Sequence, residues 1–243
     1  MTYEEFSKEF ERIFKLNKLE VPSEVMIRKF FELTNTMLSV NEQMNLTTIT
    51  DIPQIILKHY ADSLSVSPYI PQNASIIDIG CGAGFPSLPL AIFREDIKII
   101  SIDSTAKRIK YVQETANALS LTNLTAVTAR AEAYAKEKEH REQFDIAIAR
   151  AVADLPILCE LCIPFVKSGG KFIAMKAARG DEEFSRANNA LLLCGAGEAQ
   201  IIKADITADG TLFETRRIII AEKTKQTPKN YPRNFSQISK KPL

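Results

Sequence analysis

Apolar positions in the first part of the chain recur at helical spacing. Phe6, Phe10, Ile13 and Phe14 share one helical face; so do Met26, Phe30, Leu33 and Met37 in the next segment, which Pro22-Ser23 opens. A third helix is predicted over Pro53–Leu64, after which Pro68 and Pro71 interrupt the chain. From Ser75 the pattern changes. Short apolar runs at Ser75–Ile79, Ile97–Ile102, Leu124–Thr128, Phe144–Ala149 and Gly170–Met175 are separated by helical stretches. The clearest of these is Ala106–Leu119, with Ile109, Val112, Ala116 and Leu119 at helical spacing. Strands alternating with helices predict an α/β fold with a parallel sheet covered on both faces. Gln200–Asp205 and Phe213–Glu222 read as two further strands with no long helix between them. They are expected to close the sheet as an antiparallel pair, with Asp209-Gly210 supplying a turn. Three regions follow: a helical N-terminal cap (1–70), an α/β domain (71–222) and a basic tail (223–243).

A chain of 243 residues suits one ordinary domain with a modest extension, and its 45% hydrophobic and 25% charged content is that of a globular protein. Lys and Arg number 31 against 30 Asp and Glu, which excludes a uniformly basic nucleic-acid coat but leaves room for a local patch. No apolar run approaches the roughly 18 residues of a spanning helix. The first ten residues are acidic and amphipathic rather than signal-like, so a cytoplasmic protein without membrane contact is expected. Cys81, Cys159, Cys162 and Cys194 are expected to be buried thiols, because Cys159-Glu-Leu-Cys162 has no second ligand pair to complete a metal site. The tail is cation-rich and free of acids, with Tyr231 and Phe235 mixed in. It reads either as a solvated, partly disordered extension or as a phosphate-contacting arm whose aromatics stack on bases.

The most informative stretch is Ile76-Ile-Asp-Ile-Gly-Cys-Gly-Ala-Gly-Phe-Pro86, a buried strand running into a glycine loop, with Pro86 placed to begin a helix. Such a loop lies at the carboxyl end of the first strand, where open α/β sheets bind nucleosides. A dinucleotide fingerprint would be GxGxxG. Here the run is GxGxG, preceded by Asp78, the form usual in S-adenosylmethionine-dependent methyltransferases; an acid near the loop can receive that ligand's ammonium group. Asp103 follows the second strand, 19 residues after Gly84, placed for ribose hydroxyls or for capping the next helix, a task Ser104 and Thr105 can also perform. Arg130-Ala131-Glu132 follows the third strand, where a backbone amide and the Glu132 carboxylate can meet an adenine; Glu132 reads alternatively as a surface helix start. Arg150 follows the fourth strand and either faces the ligand crevice or pairs with a buried acid. No Asn/Asp-Pro-Pro-aromatic run or Pro-Cys pair appears there, which disfavours methylation of exocyclic amines or of pyrimidine carbon 5.

Taken in order, Asn45-Leu-Thr47, His59-Tyr-Ala-Asp-Ser-Leu64, Asp78-Ile-Gly-Cys-Gly-Ala-Gly-Phe-Pro86, Arg130-Ala-Glu132, Ala149-Arg-Ala-Val152, Gly169-Gly170 with Lys176, Tyr231-Pro-Arg233 and Lys241-Pro-Leu243 span nearly the whole chain. In this combination the sequence resembles the bacterial small-subunit ribosomal RNA methyltransferase G family, also called glucose-inhibited division protein B. It departs from the family pattern at Cys81 (commonly Ser), at Ser87 (commonly Gly) and in lacking a glycine after Arg233. The resemblance implies a class I methyltransferase with a Rossmann-like sheet, mostly parallel with its last strand antiparallel. It implies methylation of N7 of a guanine in 16S rRNA, on naked RNA or the small subunit. It further implies S-adenosyl-L-methionine contacts at Gly80, Phe85, Asp103, Ser104, Thr105, Ala131, Glu132 and Arg150.

Guanine N7 carries a lone pair and no proton, so Arg150 is expected to orient reactants rather than to move a proton, and no general base or metal is expected. N7 faces the deep major groove of A-form RNA, so a base splayed from a loop or junction is the expected target. Lys176, Arg179, Lys223, Lys225, Arg233, Lys240 and Lys241 are the candidate phosphate contacts. His140, in a charged run, is expected at the surface. His59 and Asp62, one turn apart, read as a polar pair joining cap to sheet or, with Asn45, as pocket wall. A monomer is favoured. The competing readings are a same-fold methyltransferase of small molecules, a non-catalytic RNA-binding assembly factor and, disfavoured by the glycine spacing, a nicotinamide dehydrogenase.

Overall fold

The computed structural model describes residues 1–243. Helix α1 (Tyr3–Leu16) starts at a capping box: Glu5 N donates to Thr2 Oγ1, and Thr2 N donates to the Glu5 carboxylate. Helix α2 (Glu24–Met44) starts at Ser23, whose hydroxyl accepts from Met26 N, and ends on Asn45 in a left-handed conformation. The third predicted helix begins with α3 (Ile52–Ile55) and ends with α4 (Asp62–Leu64). Between them Ile56–Ala61 winds as a π-helical turn, a form that recurs at functional sites.

The sheet follows: β1 (Ser75–Ile79), α5 (Ser87–Phe93), β2 (Lys98–Asp103), α6 (Ala106–Ala118), β3 (Leu124–Thr128), α7 (Ala131–Tyr134), β4 (Phe144–Arg150), α8 (Leu155–Cys162), β5 (Val166–Lys176), α9 (Gly180–Arg186), α10 (Asn188–Leu193) and β6 (Ala196–Lys203). After a small hairpin of β7 (Ile206–Thr207) and β8 (Phe213–Glu214) comes β9 (Arg217–Lys223). Seven strands lie in the order β3-β2-β1-β4-β5-β9-β6, and β9 runs antiparallel between β5 and β6. The architecture is thus an α/β Rossmann-like sheet, parallel except around β9. The expected strand Phe213–Glu222 divides in two. Arg216 N donates to Asp205 Oδ1, and Ala204 N to Arg216 O, which turns the chain so that β8 pairs with β7 before β9 enters the sheet. Asp209-Gly210 closes that hairpin instead of linking the two long strands.

Alternation along the strands sorts the sheet's two faces. Ile76, Ile99, Ile146, Ile148 and Ile173 face α5, α6 and the N-terminal helices, so Phe6, Phe10 and Phe30 of the cap share one apolar core with the sheet. Ile77, Ile79, Ala147, Ala149 and Phe172 face α8 and α10. All four cysteines are free and buried, three of them in this second core.

The tail is folded. A last helix, α11 (Phe235–Lys240), packs beside α8 with Ile238 fully buried. Arg141 Nη1 donates to Tyr231 O, and its Nη2 to Thr227 O and Pro228 O. Arg233 grips the Glu160 carboxylate with its guanidinium at 2.7–3.1 Å and with its backbone N–H at 2.7 Å. The alternative of a partly disordered tail is thereby set aside.

Candidate active site

The order of strands reverses beside β1, where β2 and β4 flank it, and the crevice above their carboxyl ends is where this class of sheet binds ligands. The glycine loop forms its floor. Gly80 N and Cys81 N both donate to Ile102 O, so the loop is tied to the end of β2. Gly80 has φ +71°, and a Cβ there would lie 2.7 Å from Val152 Cγ2, so any side chain would be driven against the loop after β4. Gly84, at φ +86°, lets Leu88 pack where a Cβ would be. Pro86 is the residue before α5, which begins at Ser87.

A cavity of about 450 Å³ opens over this floor, a size ordinary for small-molecule sites. Gly80, Phe85, Asp103, Ser104, Thr105, Ala131, Glu132 and Arg150 all line it. Asp103 also does the local work of a turn. Its Oδ1 accepts from Thr105 N at 2.8 Å and its Oδ2 from Gly82 N at 3.1 Å, which fixes the carboxylate at the crevice edge. Asp78 does not line the cavity. It is fully buried, accepts a hydrogen bond from Ser87 Oγ (itself bonded by Ser101 Oγ), and leaves Oδ1 unpartnered. A direct ammonium contact for Asp78 is therefore not what this side-chain position offers.

A second cavity of about 650 Å³ adjoins the first, and His59, Arg150, Ala151 and Val152 line both. The partition is built from cap and sheet together. His59 stacks on Phe85 with ring centroids 4.5 Å apart, and its Nε2 lies 3.0 Å from Thr47 Oγ1. Arg150 Nη1 donates to Asp62 Oδ2 (2.9 Å) and to Lys58 O (2.8 Å), with its guanidinium carbon 5.3 Å from the Phe85 ring centre. Arg216 Nε approaches the other Asp62 oxygen at 3.3 Å. Both sequence readings of Arg150 thus hold at once: it faces the crevice and pairs with a buried acid. His59 and Asp62 are separate ties, not a pair. Asn45 is exposed at the end of α2, and it is Leu46 and Thr47 beyond it that reach the crevice.

Three of the candidate phosphate contacts are occupied elsewhere. Lys223 is 1% exposed, its ammonium bonded to Ile163 O, Val166 O and Thr227 Oγ1 and paired with Glu142. Lys176 is buried against Glu183 at 2.6 Å. Arg233 holds Glu160. The Lys223 ammonium has no free donor left for RNA, while Lys176 and Arg233 are committed first to buried carboxylates. Arg179, Lys225, Lys240 and Lys241 remain exposed. His140 is half-buried under Tyr134, with centroids 3.7 Å apart, rather than free at the surface. Sequence reasoning missed Arg216, Lys58 and Arg108 around the crevices; none stands in a recognisable motif.

Burial, with the Arg150 charge adding to it, lowers the His59 pKa from 6.5 to about 3, so its ring is neutral. Burial raises the Asp78 carboxyl from 3.8 to about 7. These two shifts oppose each other in stability. The unfolded chain protonates His59 below about pH 6.5 while the folded chain does not, so that contribution falls as pH drops toward 3. The folded chain keeps the Asp78 proton that the unfolded chain releases, so that contribution falls as pH rises from 3.8 to 7. Relative to the parent, His59→Gln is expected to lose stability as pH rises from about 4 to 6.5. Asp78→Asn is expected to gain it, each by up to about 1.4 kcal/mol per pH unit. Chemical denaturation across that range checks both signs, and slopes of the same sign would refute the assignment.

A glycine floor without a side chain, a carboxylate fixed at the end of β2 and a polar edge after β3 make a crevice of the kind in which open α/β sheets bind nucleosides. With the sheet order, they define the molecule as a Rossmann-like methyltransferase. The architecture is similar to that of an S-adenosylmethionine-dependent O-methyltransferase from Thermotoga maritima, with a TM-score of 0.52 and 13% identity, covering 79% of this chain and 72% of that one. Residues 26–209 match the model of the family described as rRNA small subunit methyltransferase G. The ribosomal RNA small subunit methyltransferase G of Acetivibrio thermocellus is 41% identical over 218 residues, 89% of this chain and 88% of its own. That of Clostridium botulinum is 42% identical over 217 residues, 88% of this chain and 90% of its own. The chain belongs to the rRNA small subunit methyltransferase G family.

Proposed function

We propose that this protein methylates N7 of a guanine in 16S rRNA, with S-adenosyl-L-methionine in the first crevice and the guanine in the second. The observation that carries this reading is the wall of His59 and Arg150 shared by two adjoining cavities, with Phe85 packed against both side chains from the first. The first crevice fits the cofactor. Gly80 puts bare backbone at the crevice floor, where Val152 leaves no room for a side chain, and the fixed Asp103 carboxylate offers acceptors suited to ribose hydroxyls. Gly80, Phe85, Asp103, Ser104, Thr105, Ala131, Glu132 and Arg150 would hold it. When bound, it supplies a methyl group activated by a sulfonium sulfur.

Guanine N7 has no proton to lose, so the chain needs no general base, and the partition is suited to alignment instead. His59 is neutral and stacked, and its Nε2 is engaged with Thr47. Arg150 is held by a carboxylate and a carbonyl, so it presents its cation in a fixed position at the boundary. Orienting two bound reactants can be worth ~7–11 kcal/mol of the barrier in favourable cases. Arg179, Lys225, Lys240 and Lys241 are the exposed cations available to phosphates. Incubating the purified protein with methyl-labelled S-adenosylmethionine and small ribosomal subunits or naked 16S rRNA, then digesting to nucleosides, tests the reading. Label in 7-methylguanosine is the expected result. Label in another nucleoside, or transfer to small molecules alone, would overturn it.

A further inference from the structure

The tail contains one side chain whose place its own packing does not explain. Phe235 is 43% exposed, although it sits on a helix anchored by the fully buried Ile238. It lines the first crevice together with Arg130, Ala131, Glu132 and Leu161. Its position is fixed from several directions. Asn234 caps the helix, its side chain accepting from Gln237 N at 3.0 Å. Arg233, two residues before Phe235, is clamped through backbone and side chain to Glu160, the neighbour of Leu161 on α8. Arg141 binds three tail carbonyls upstream, those of Thr227, Pro228 and Tyr231. An exposed aromatic ring is thus held at the end of the cavity lined by the residues that follow β3.

We infer that Phe235 is a cofactor-binding residue, its ring covering the adenine of the bound S-adenosyl ligand. The inference rests on the assignment of that ligand to the first crevice. An aromatic ring on the open side of a purine excludes water from its face and adds stacking, whose removal by alanine substitution weakens binding roughly 5- to 150-fold per base. The tail aromatic then serves the cofactor rather than an RNA base, and the buried Glu160–Arg233 pair acts at a distance by holding the ring in place.

Calorimetric titration with S-adenosylhomocysteine and with 5′-methylthioadenosine tests this, because the second ligand keeps the adenosine and lacks the amino acid. Phe235→Ala is expected to raise both dissociation constants by a common factor of about ten, in line with the stacking range above, and to leave the thermal midpoint unchanged. Phe235→Trp is expected to retain affinity. The chain contains no tryptophan, so that variant carries a single indole, whose emission on selective excitation should be quenched by either ligand with a midpoint matching calorimetry. Parent protein that binds neither ligand would remove the underlying site assignment. Parent protein that binds both while Phe235→Ala binds equally well, or while the Phe235→Trp emission ignores the ligand, would overturn the inference alone. Unchanged cofactor affinity with weaker binding of small subunits would give the ring to RNA instead.

Discussion

Arg150→Ala is expected to lower the single-turnover rate of methyl transfer about hundredfold at saturating cofactor and RNA, the order of loss that follows a small misplacement of reactants. The guanidinium is the one cation that borders both crevices while bonded at once to Asp62 and Lys58 O and lying near the Phe85 ring. Removing it frees the wall between the two crevices. The fold should survive, because Arg216 still approaches the Asp62 carboxylate. Arg150→Lys is not expected to restore the rate. An ammonium is a compact, strongly hydrated point charge and cannot reproduce the flat, delocalised cation that lies beside the Phe85 ring. Rapid-quench measurement of labelled transfer separates this from weaker binding. An unchanged rate would mean that Arg150 is only a tie between cap and sheet.

The largest effect on stability is expected from the tail. Glu160 is fully buried, and Arg233 supplies every donor that reaches its carboxylate. Arg233→Ala leaves that charge with a single backbone N–H, a situation that costs roughly 3–5 kcal/mol when a buried pair is broken from one side. Combining Arg233→Ala with Glu160→Gln removes the stranded charge and should recover a large part of the loss. Urea denaturation of the single and double variants checks this. Equal destabilisation in the two would show that the charge itself is not what the pair neutralises.

These two sites also mark how far the sequence could be read. The core of the fold was legible because its signals are local. The strands β1 and β3 lie where the apolar runs Ser75–Ile79 and Leu124–Thr128 stand, and the glycine loop sits between β1 and α5 as its spacing requires. The residues expected to hold the cofactor, on the ends of β1, β2, β3 and β4, line one crevice because a parallel sheet brings its carboxyl ends together. What could not be read depends on partners distant in the chain. Lys223 looks like any tail lysine until Glu142 and the carbonyls of Ile163 and Val166 enclose it. Lys176 meets Glu183, Arg233 meets Glu160, and Arg150 meets Asp62 by tertiary packing alone. The π-helical turn carrying His59 has no marker in its residues, and the break between β8 and β9 depends on Asp205 capturing the Arg216 amide.

A crystal structure of the protein with S-adenosylhomocysteine tests the central assignment most directly. The ribose is expected on Asp103, the adenine beside Ala131, Glu132 and Phe235, and the sulfur directed past His59 and Arg150 into the second crevice. Ligand bound in the second crevice, or in the first with its sulfur turned away from that wall, would contradict the account.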